Sequence, residues 1–214
     1  MTDEFIREVN EDLKQEKTEK LWKKFLPYII SVSLGIVFST TGYVAWDNFS
    51  KNNRQKLGDD FTAAVELAKE EDMDAALQAL DRIVDKGSDG YVTLSKMKKA
   101  SLMIESGMLE EGLEIYKDLE RNAVDQSFRD IATILYILNS MDSLSPELLI
   151  KKLEPLEESK IWKSSALELK AFIFLQKGET NNAIEVFESI SAMPNTPSSL
   201  SNRSRNMLDL LKVK

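Results

Sequence analysis

Residues 107–119 read GMLEEGLEIYKDL, and this stretch decides the fold because its spacing recurs along the chain. A small residue lies five positions after the first residue, and apolar residues lie four and seven positions after the small one. Segments that begin at residues 71 and 178 share this spacing. The small residues are Ala76, Gly112 and Ala183, and the apolar pairs are Leu80 with Ile83, Tyr116 with Leu119, and Phe187 with Ile190.

The small residues are 36 and 71 positions apart, and 71 is nearly two units of 36. A degenerate unit is therefore expected near residue 148. Leu149, Leu153 and Leu156 occupy that place one residue out of phase. A fixed period of this size is typical of an array of repeated structural units.

From residue 57 onward the apolar residues follow the 3.6-residue period of helices, and no useful length alternates with period two. Glycine and proline residues separate the periodic segments, and Pro146 is placed to begin a helix. The sequence predicts an all-α fold with helices at 57–70, 73–86, 91–106, 109–121, 126–141, 146–158, 161–177, 180–192 and 199–212.

This spacing resembles the tetratricopeptide repeat over residues 57–192. The small position of the family's first helix is matched by Ala64, Ala100 and Ala171, and the apolar position three residues later by Leu67, Met103 and Phe174. The family's first-helix Trp-x-x-Leu-Gly is absent, and Lys99 and Lys170 stand where it expects apolar residues. The resemblance implies a divergent helical-hairpin solenoid.

A single hairpin cannot bury its apolar face alone, so neighbouring hairpins must stack into a continuous core. We therefore expect a repeat domain over residues 57–197, closed by a C-terminal capping helix within residues 198–214. The buried face predicted for the cap is Leu200, Met207, Leu208 and Leu211.

Stacking of hairpins creates a surface lined by their first helices, and we place a partner-binding groove there. The residues predicted to line this groove are Phe61, Val65, Leu94, Met97, Ser101, Ile137 and Phe172. The competing interpretation is that several of these side chains belong to the core.

Residues 26–46 read LPYIISVSLGIVFSTTGYVAW and contain no charged side chain. A helix of this length rises roughly 30 Å, which matches the hydrocarbon thickness of a membrane. The sequence therefore predicts a transmembrane anchor helix over 26–46, after a charged tail at 1–25 and before a polar juncture at 47–56. The long charged lead-in and the long apolar run favour an uncleaved anchor over a removed signal peptide.

The flanking charges predict the orientation of this anchor. Residues 6–25 contain six Lys and Arg residues, whereas residues 47–66 contain three. By the positive-inside rule, the N-terminus is expected in the cytoplasm and the repeat domain outside, in the periplasm of a bacterial inner membrane. One helix face carries small residues that would let another helix pack closely, namely Ser31, Gly35, Ser39 and Gly42. The alternative is that such residues are simply common in membrane helices.

The composition argues against catalysis and nucleic-acid binding. The chain has no Cys and no His, so cysteine nucleophiles, Ser-His pairs and zinc sites built from these residues are excluded. After residue 46 it carries 22 Lys and Arg against 29 Asp and Glu, a net charge of −7, which is unsuited to binding phosphates. We predict no enzyme, with no catalytic residue, no cofactor and no metal.

The order of tail, anchor and acidic repeat domain resembles the bacterial family of ancillary subunits of the SecYEG translocon. The resemblance implies protein partners, namely translocon subunits, periplasmic chaperones and emerging secreted chains. One alternative is an envelope scaffold for cell-division or wall-synthesis proteins. Another is a mitochondrial receptor with a cytosolic domain, but such receptors bind a carboxylate with polar and charged residues where this chain has Phe61, Val65, Met97 and Ser101.

Overall fold

The computed structural model describes the backbone of residues 2–212 and the side chains of residue 24, residue 32, residues 34–88 and residues 90–212. Every regular element in this part of the chain is a helix. The helices are α1 (Thr2–Lys69), α2 (Met73–Lys86), α3 (Asp89–Glu105), α4 (Leu109–Asn122), α5 (Gln126–Ser140), α6 (Pro146–Leu153), a 3-10 helix (Glu154–Glu158), α7 (Lys163–Gln176), α8 (Thr180–Ala192) and α9 (Ser198–Lys212). The chain divides into two compact units, Met1–Gln55 and Lys56–Lys214.

Residues 47–56, which we expected to form a polar juncture, are helical. Local interactions support the helix, since Lys51 Nζ lies 2.6 Å from a carboxylate oxygen of Asp47 and the Arg54 side chain donates to the Ser50 carbonyl. No Gly or Pro interrupts residues 47–57. Polarity alone therefore does not end a helix in which i,i+4 contacts are available.

The second unit is an array of helical hairpins, with α2, α4, α6 and α8 as the second helices. The small and apolar positions of the repeat form the centre of each hairpin. At most 2% of the surface is exposed for Ala76, Leu80, Ile83, Tyr116, Leu119, Ala183, Phe187 and Ile190. The first-helix residues Ala64, Ala100 and Ala171 are also fully buried. The predicted repeat register is confirmed.

The degenerate unit keeps the same internal spacing as the others. Leu149, Leu153 and Leu156 are buried, and Leu149 occupies the position that is small elsewhere. The single helix predicted over 146–158 is wrong, because α6 ends at Leu153 and continues as a 3-10 helix. Pro155 lacks the N–H that an α-helix needs at this point, which explains the break.

The turns inside three hairpins are built alike. Glu71, Gly107 and Gly178 adopt left-handed backbone conformations with φ of 64°, 86° and 78°. In each turn the next residue donates its N–H to a carbonyl five residues earlier, over 2.8–3.0 Å. This is the hydrogen bond of a Schellman C-cap, and two of the three turns use the glycine that this conformation favours.

The two lysines that depart from the repeat pattern form ion pairs with the preceding hairpin. Lys99 Nζ lies 2.5 Å from Asp81 of α2, and Lys170 Nζ lies 2.6 Å from Glu157 of the 3-10 helix. The two lysine side chains are only 24% and 22% exposed. Electrostatic contacts thus join hairpins at positions where the family usually places apolar residues.

Helix α9 covers the last hairpin as the sequence predicts. Leu200 is buried against α7 and α8, and its predicted partners Met207, Leu208 and Leu211 are half-buried in the same apolar cluster. Polar contacts hold the cap as well. The Arg203 guanidinium binds both carboxylate oxygens of Glu168, and Lys212 binds Glu188 at 2.7 Å.

Candidate partner-docking site

The structure places the predicted groove residues in different environments. All seven lie on first helices of the hairpins. Ile137 is fully buried in a core cluster, so its side chain does not line a surface. Phe61 and Met97 pack against two other core clusters. The predicted set therefore does not form one continuous exposed groove.

The remaining predicted residues are more accessible. Leu94 is exposed, whereas Val65 and Ser101 are half-buried. The Ser101 hydroxyl donates to Glu105 on the same helix. Phe172 is half-buried and lines a cleft between two first helices.

This cleft, which we call the α5–α7 cleft, has a volume of about 530 Å³. Its apolar lining comes from α5, the residue after it, and α7, and consists of Ile134, Leu138, Met141, Leu169 and Phe172. Leu138 is 52% exposed, although it is a large apolar side chain. The volume falls in the range typical of ligand pockets, and the lining suits apolar side chains of a partner.

Fixed contacts shape the walls of the α5–α7 cleft. The ring of Phe172 meets that of the fully buried Phe187 edge-on, with centroids 5.7 Å apart, so a core residue supports the aromatic wall. The Gln176 amide donates to the Met141 carbonyl over 3.1 Å and joins α7 to the end of α5. The cleft therefore lies on a packed base rather than between loose helices.

The polar side chains of the cleft are acidic or neutral. They are Asp142, Ser165, Glu168 and Gln176. The two Glu168 oxygens accept hydrogen bonds of 2.8 and 2.7 Å from Arg203, and this carboxylate raises the pKa of the Arg203 guanidinium above its ordinary value. Glu168 is therefore already paired, and the lining residues include no lysine or arginine.

Sequence reasoning missed most of this cleft. Ile134, Leu138 and Met141 belong to a predicted helix, but their periodicity does not distinguish core from exposed positions. The missing signal was the excess of apolar residues on α5, which carries more of them than one buried face requires. Such a helix needs either a second packing partner or an exposed apolar surface.

The predicted helix-packing face of the N-terminal segment lies on α1. A Cβ atom added at Gly35 or Gly42 would meet nothing within 4 Å, and Ser39 is exposed. The side chain of Ser31 lies outside the described residues. Large apolar side chains on this segment are exposed, namely Val32, Leu34, Ile36, Val37, Phe38, Tyr43, Val44, Trp46 and Phe49.

Among the described residues, no helix carries an apolar stretch long enough to cross a membrane. The side chains of residues 26–31 and 33, which belong to the predicted anchor, lie outside the described residues. Within the same residues, no group of three or more Asp and Glu side chains could hold a metal ion.

A profile of the tetratricopeptide repeat-like domain family matches residues 19–209. The matched range covers all four hairpins and most of α9, and it begins upstream of the apolar stretch at 26–46. No curated protein and no solved structure gave a significant match to the chain. The family match spans well over half of the chain and agrees with the hairpin register seen in the structure. The chain therefore belongs to the tetratricopeptide repeat-like domain family.

Proposed function

We propose that the chain is a protein-interaction module without catalytic activity, which docks segments of partner proteins in the α5–α7 cleft. The observation that carries this proposal is the cleft itself, where Leu138 is 52% exposed beside Phe172. Burying a fully exposed large apolar side chain is worth roughly 1.5–3 kcal/mol, and because both residues are already partly buried, a partner would gain only part of this from each. The family context agrees, because arrays of this kind present extended binding surfaces.

The second part of the proposal is that residues 26–46 anchor the domain in a bacterial inner membrane, with the N-terminus in the cytoplasm and the repeat domain in the periplasm. The uncharged stretch and the six-against-three excess of basic residues on its N-terminal side support this orientation. The exposed apolar side chains between Val32 and Phe49 also favour an apolar surrounding. Their exposure to water would be costly.

The most specific part of the proposal names the partners. A charged tail, an apolar anchor and an acidic repeat domain are the parts of ancillary SecYEG translocon subunits, and the family match includes the region from residue 19. We therefore propose an accessory factor of the translocon, which links emerging secreted proteins to periplasmic chaperones. An envelope scaffold for cell-division or wall-synthesis proteins is the alternative outcome.

Site-specific photocrosslinking in native membranes tests the docking site and the partner together. A photoreactive phenylalanine analogue is introduced at Leu138 or Phe172, and at Leu210 as the matched control. Leu210 is 66% exposed and apolar, but it lies on α9 and does not line the cleft. We expect crosslinks to translocon or chaperone subunits from positions 138 and 172 and none from position 210. Recovery of cell-division proteins at 138 and 172 would favour the scaffold, and equal products at all three positions would refute the cleft as the docking site.

Cysteine labelling tests the proposed topology, because the chain has no native Cys. Single variants Thr2→Cys and Asn181→Cys are treated with a membrane-impermeant maleimide in intact spheroplasts. Asn181 is an exposed residue of the repeat domain. We expect position 181 to be labelled in intact spheroplasts and position 2 to be labelled only after lysis. Release of the protein from membranes by alkaline carbonate would contradict the anchor.

A further inference from the structure

A second cleft is lined by residues of α2, α3 and α4. We call it the α2–α4 cleft, and its volume is about 450 Å³. Its lining includes residues from the second helices of two hairpins, whereas the α5–α7 cleft lies between the first helices of two hairpins. None of its lining residues belongs to the α5–α7 cleft. The two clefts are therefore separate sites.

The floor of the α2–α4 cleft is apolar. Val84, Met103 and Ile115 come from α2, α3 and α4, and each is only half-buried in the structure. These three side chains leave apolar surface that a ligand could cover. Hydrophobic contact with them would favour a ligand that has an aliphatic part.

Charged side chains surround this apolar floor. Four lining residues are acidic (Asp81, Glu111, Glu114 and Asp118) and two are basic (Lys96 and Lys99). The lining therefore carries a net charge of −2.

Both lysines of the cleft are already paired. Lys99 Nζ lies 2.5 Å from Asp81, and Lys96 Nζ lies 2.8 Å from Asp118. Each ammonium group therefore already faces a carboxylate of a neighbouring helix, which weakens its attraction for an anionic ligand. The other two carboxylates, Glu111 and Glu114, lie on one side of α4. Glu114 Oε2 lies 3.2 Å from Lys117 Nζ, and the side chains of Glu114 and Lys117 are 73% and 41% exposed.

We propose that the α2–α4 cleft binds an arginine side chain of a partner protein, presented beside an apolar residue. The aliphatic stem of arginine would cover Met103 and Ile115, and its guanidinium would bind Glu111 with support from Glu114. Arginine fits better than lysine because its planar guanidinium binds a carboxylate through two parallel hydrogen bonds. Its stem and charged head also match the two halves of the cleft lining.

Methionine methyl resonances test this inference, because each cleft contains one methionine. Met103 lines the α2–α4 cleft and Met141 the α5–α7 cleft. The full-length protein in detergent micelles is labelled with ¹³C-methyl methionine, and its eight methyl signals are assigned by substitution to Leu. The probe is the dipeptide N-acetyl-Leu-Arg-amide. Its control is the analogue with citrulline, which has nearly the same shape and no charge.

We expect a saturable shift of the Met103 methyl signal with millimolar affinity, while the Met141 signal stays in place. The citrulline peptide should bind about tenfold more weakly, as expected for loss of a charge-assisted hydrogen bond. No saturation at Met103 would overturn the proposal, and so would equal affinity for the two peptides. A larger shift at Met141 would place the arginine in the other cleft and refute it as well.

A matched pair of variants tests the assigned carboxylate. Glu111→Gln should weaken binding of the arginine peptide by about fivefold to tenfold, because it removes the charge that faces the guanidinium. Glu110→Gln changes the net charge equally on the same helix turn, but Glu110 does not line the cleft. Glu110→Gln should therefore leave the affinity unchanged. Equal weakening by the two variants would show that only the overall charge matters and would contradict a site at Glu111. Glu114→Gln is a second variant at a lining residue.

Discussion

Replacement of Gly112 by alanine tests how closely the second hairpin is packed. Gly112 is buried and lies at the small position of α4. A Cβ atom there would lie 2.5 Å from Cγ1 of Ile104 and 2.8 Å from the carbonyl oxygen of Ala100. Both distances are shorter than real Cβ contacts allow, and the second involves backbone that cannot rotate away. Helix α4 would therefore have to move outward from α3.

The magnitude follows from two opposing effects. Overpacking a well-packed site costs about 1–3 kcal/mol. Alanine gains at most about 1 kcal/mol over glycine through its helix propensity. We expect Gly112→Ala to lower the free energy of unfolding by about 1–2 kcal/mol, a decrease of roughly 3–6 °C in melting temperature for a protein of this size. At the equivalent small position, two other hairpins already carry alanine, namely Ala76 and Ala183. The helices there leave room for a Cβ atom, so we expect the penalty in this hairpin and not in those two.

Thermal unfolding of the full-length protein, followed by circular dichroism at 222 nm, measures the effect. Gly90→Ala is the matched control, because Gly90 is also helical but its added Cβ would meet nothing within 4 Å. We expect this control to be neutral or slightly stabilising. The double variant Gly112→Ala/Ile104→Ala should be less destabilised than the sum of its parts by about 0.5–1 kcal/mol, since one of the two obstacles is gone. An unchanged or raised melting temperature for Gly112→Ala would refute the close-packing argument.

The same melting assay checks three further predictions. Glu71→Gly should stabilise the protein by about 0.5–1 kcal/mol, because Glu71 has φ of 64° and glycine adopts this conformation without steric cost; a loss of stability would contradict the strain. Lys152→Met should destabilise the protein by about 1–2 kcal/mol, because Lys152 Nζ is 2.7 Å from both carboxylate oxygens of Glu120 on α4 and the lysine side chain is only 25% exposed. Lys69→Met, which removes an exposed ion pair, should cost less than about 0.5 kcal/mol. The hydrogen bond from Lys96 lowers the pKa of the Asp118 carboxyl below its ordinary 3.8, so its contribution to stability is present above that value and disappears as the pH falls through the lower native pKa. Asp118→Asn should reduce this acid-dependent loss, and an identical pH profile in the variant would argue against the contribution.

The interior of the fold follows closely from the sequence. Apolar residues four and seven positions after the small position are buried in all four hairpins, including the degenerate one. This succeeds because a helix has a fixed period, so residue spacing specifies one face regardless of the neighbours. Glycine at 107 and 178 likewise marks the turns, since the left-handed conformation has few other occupants.

The surface of the array does not follow from the sequence in the same way. Ile137 and Leu138 are adjacent apolar residues of α5, yet the first is fully buried and the second is 52% exposed. Only the packing of α6 and α7 decides which of them belongs to the core. For the same reason the predicted groove contains one residue of the α5–α7 cleft and omits the rest.

Taken by itself, the sequence determined the all-helical character of the repeat domain, the repeat register, the position of the uncharged stretch and the absence of Cys and His chemistry. These properties depend on residue type and on spacing along one chain. The tertiary structure decided where two clefts open and which charges meet in them. Lys99 and Lys170, for example, deviate from the repeat in sequence but face Asp81 and Glu157 in space. Such pairings join residues 13 and 18 positions apart on different helices, and no local pattern encodes them.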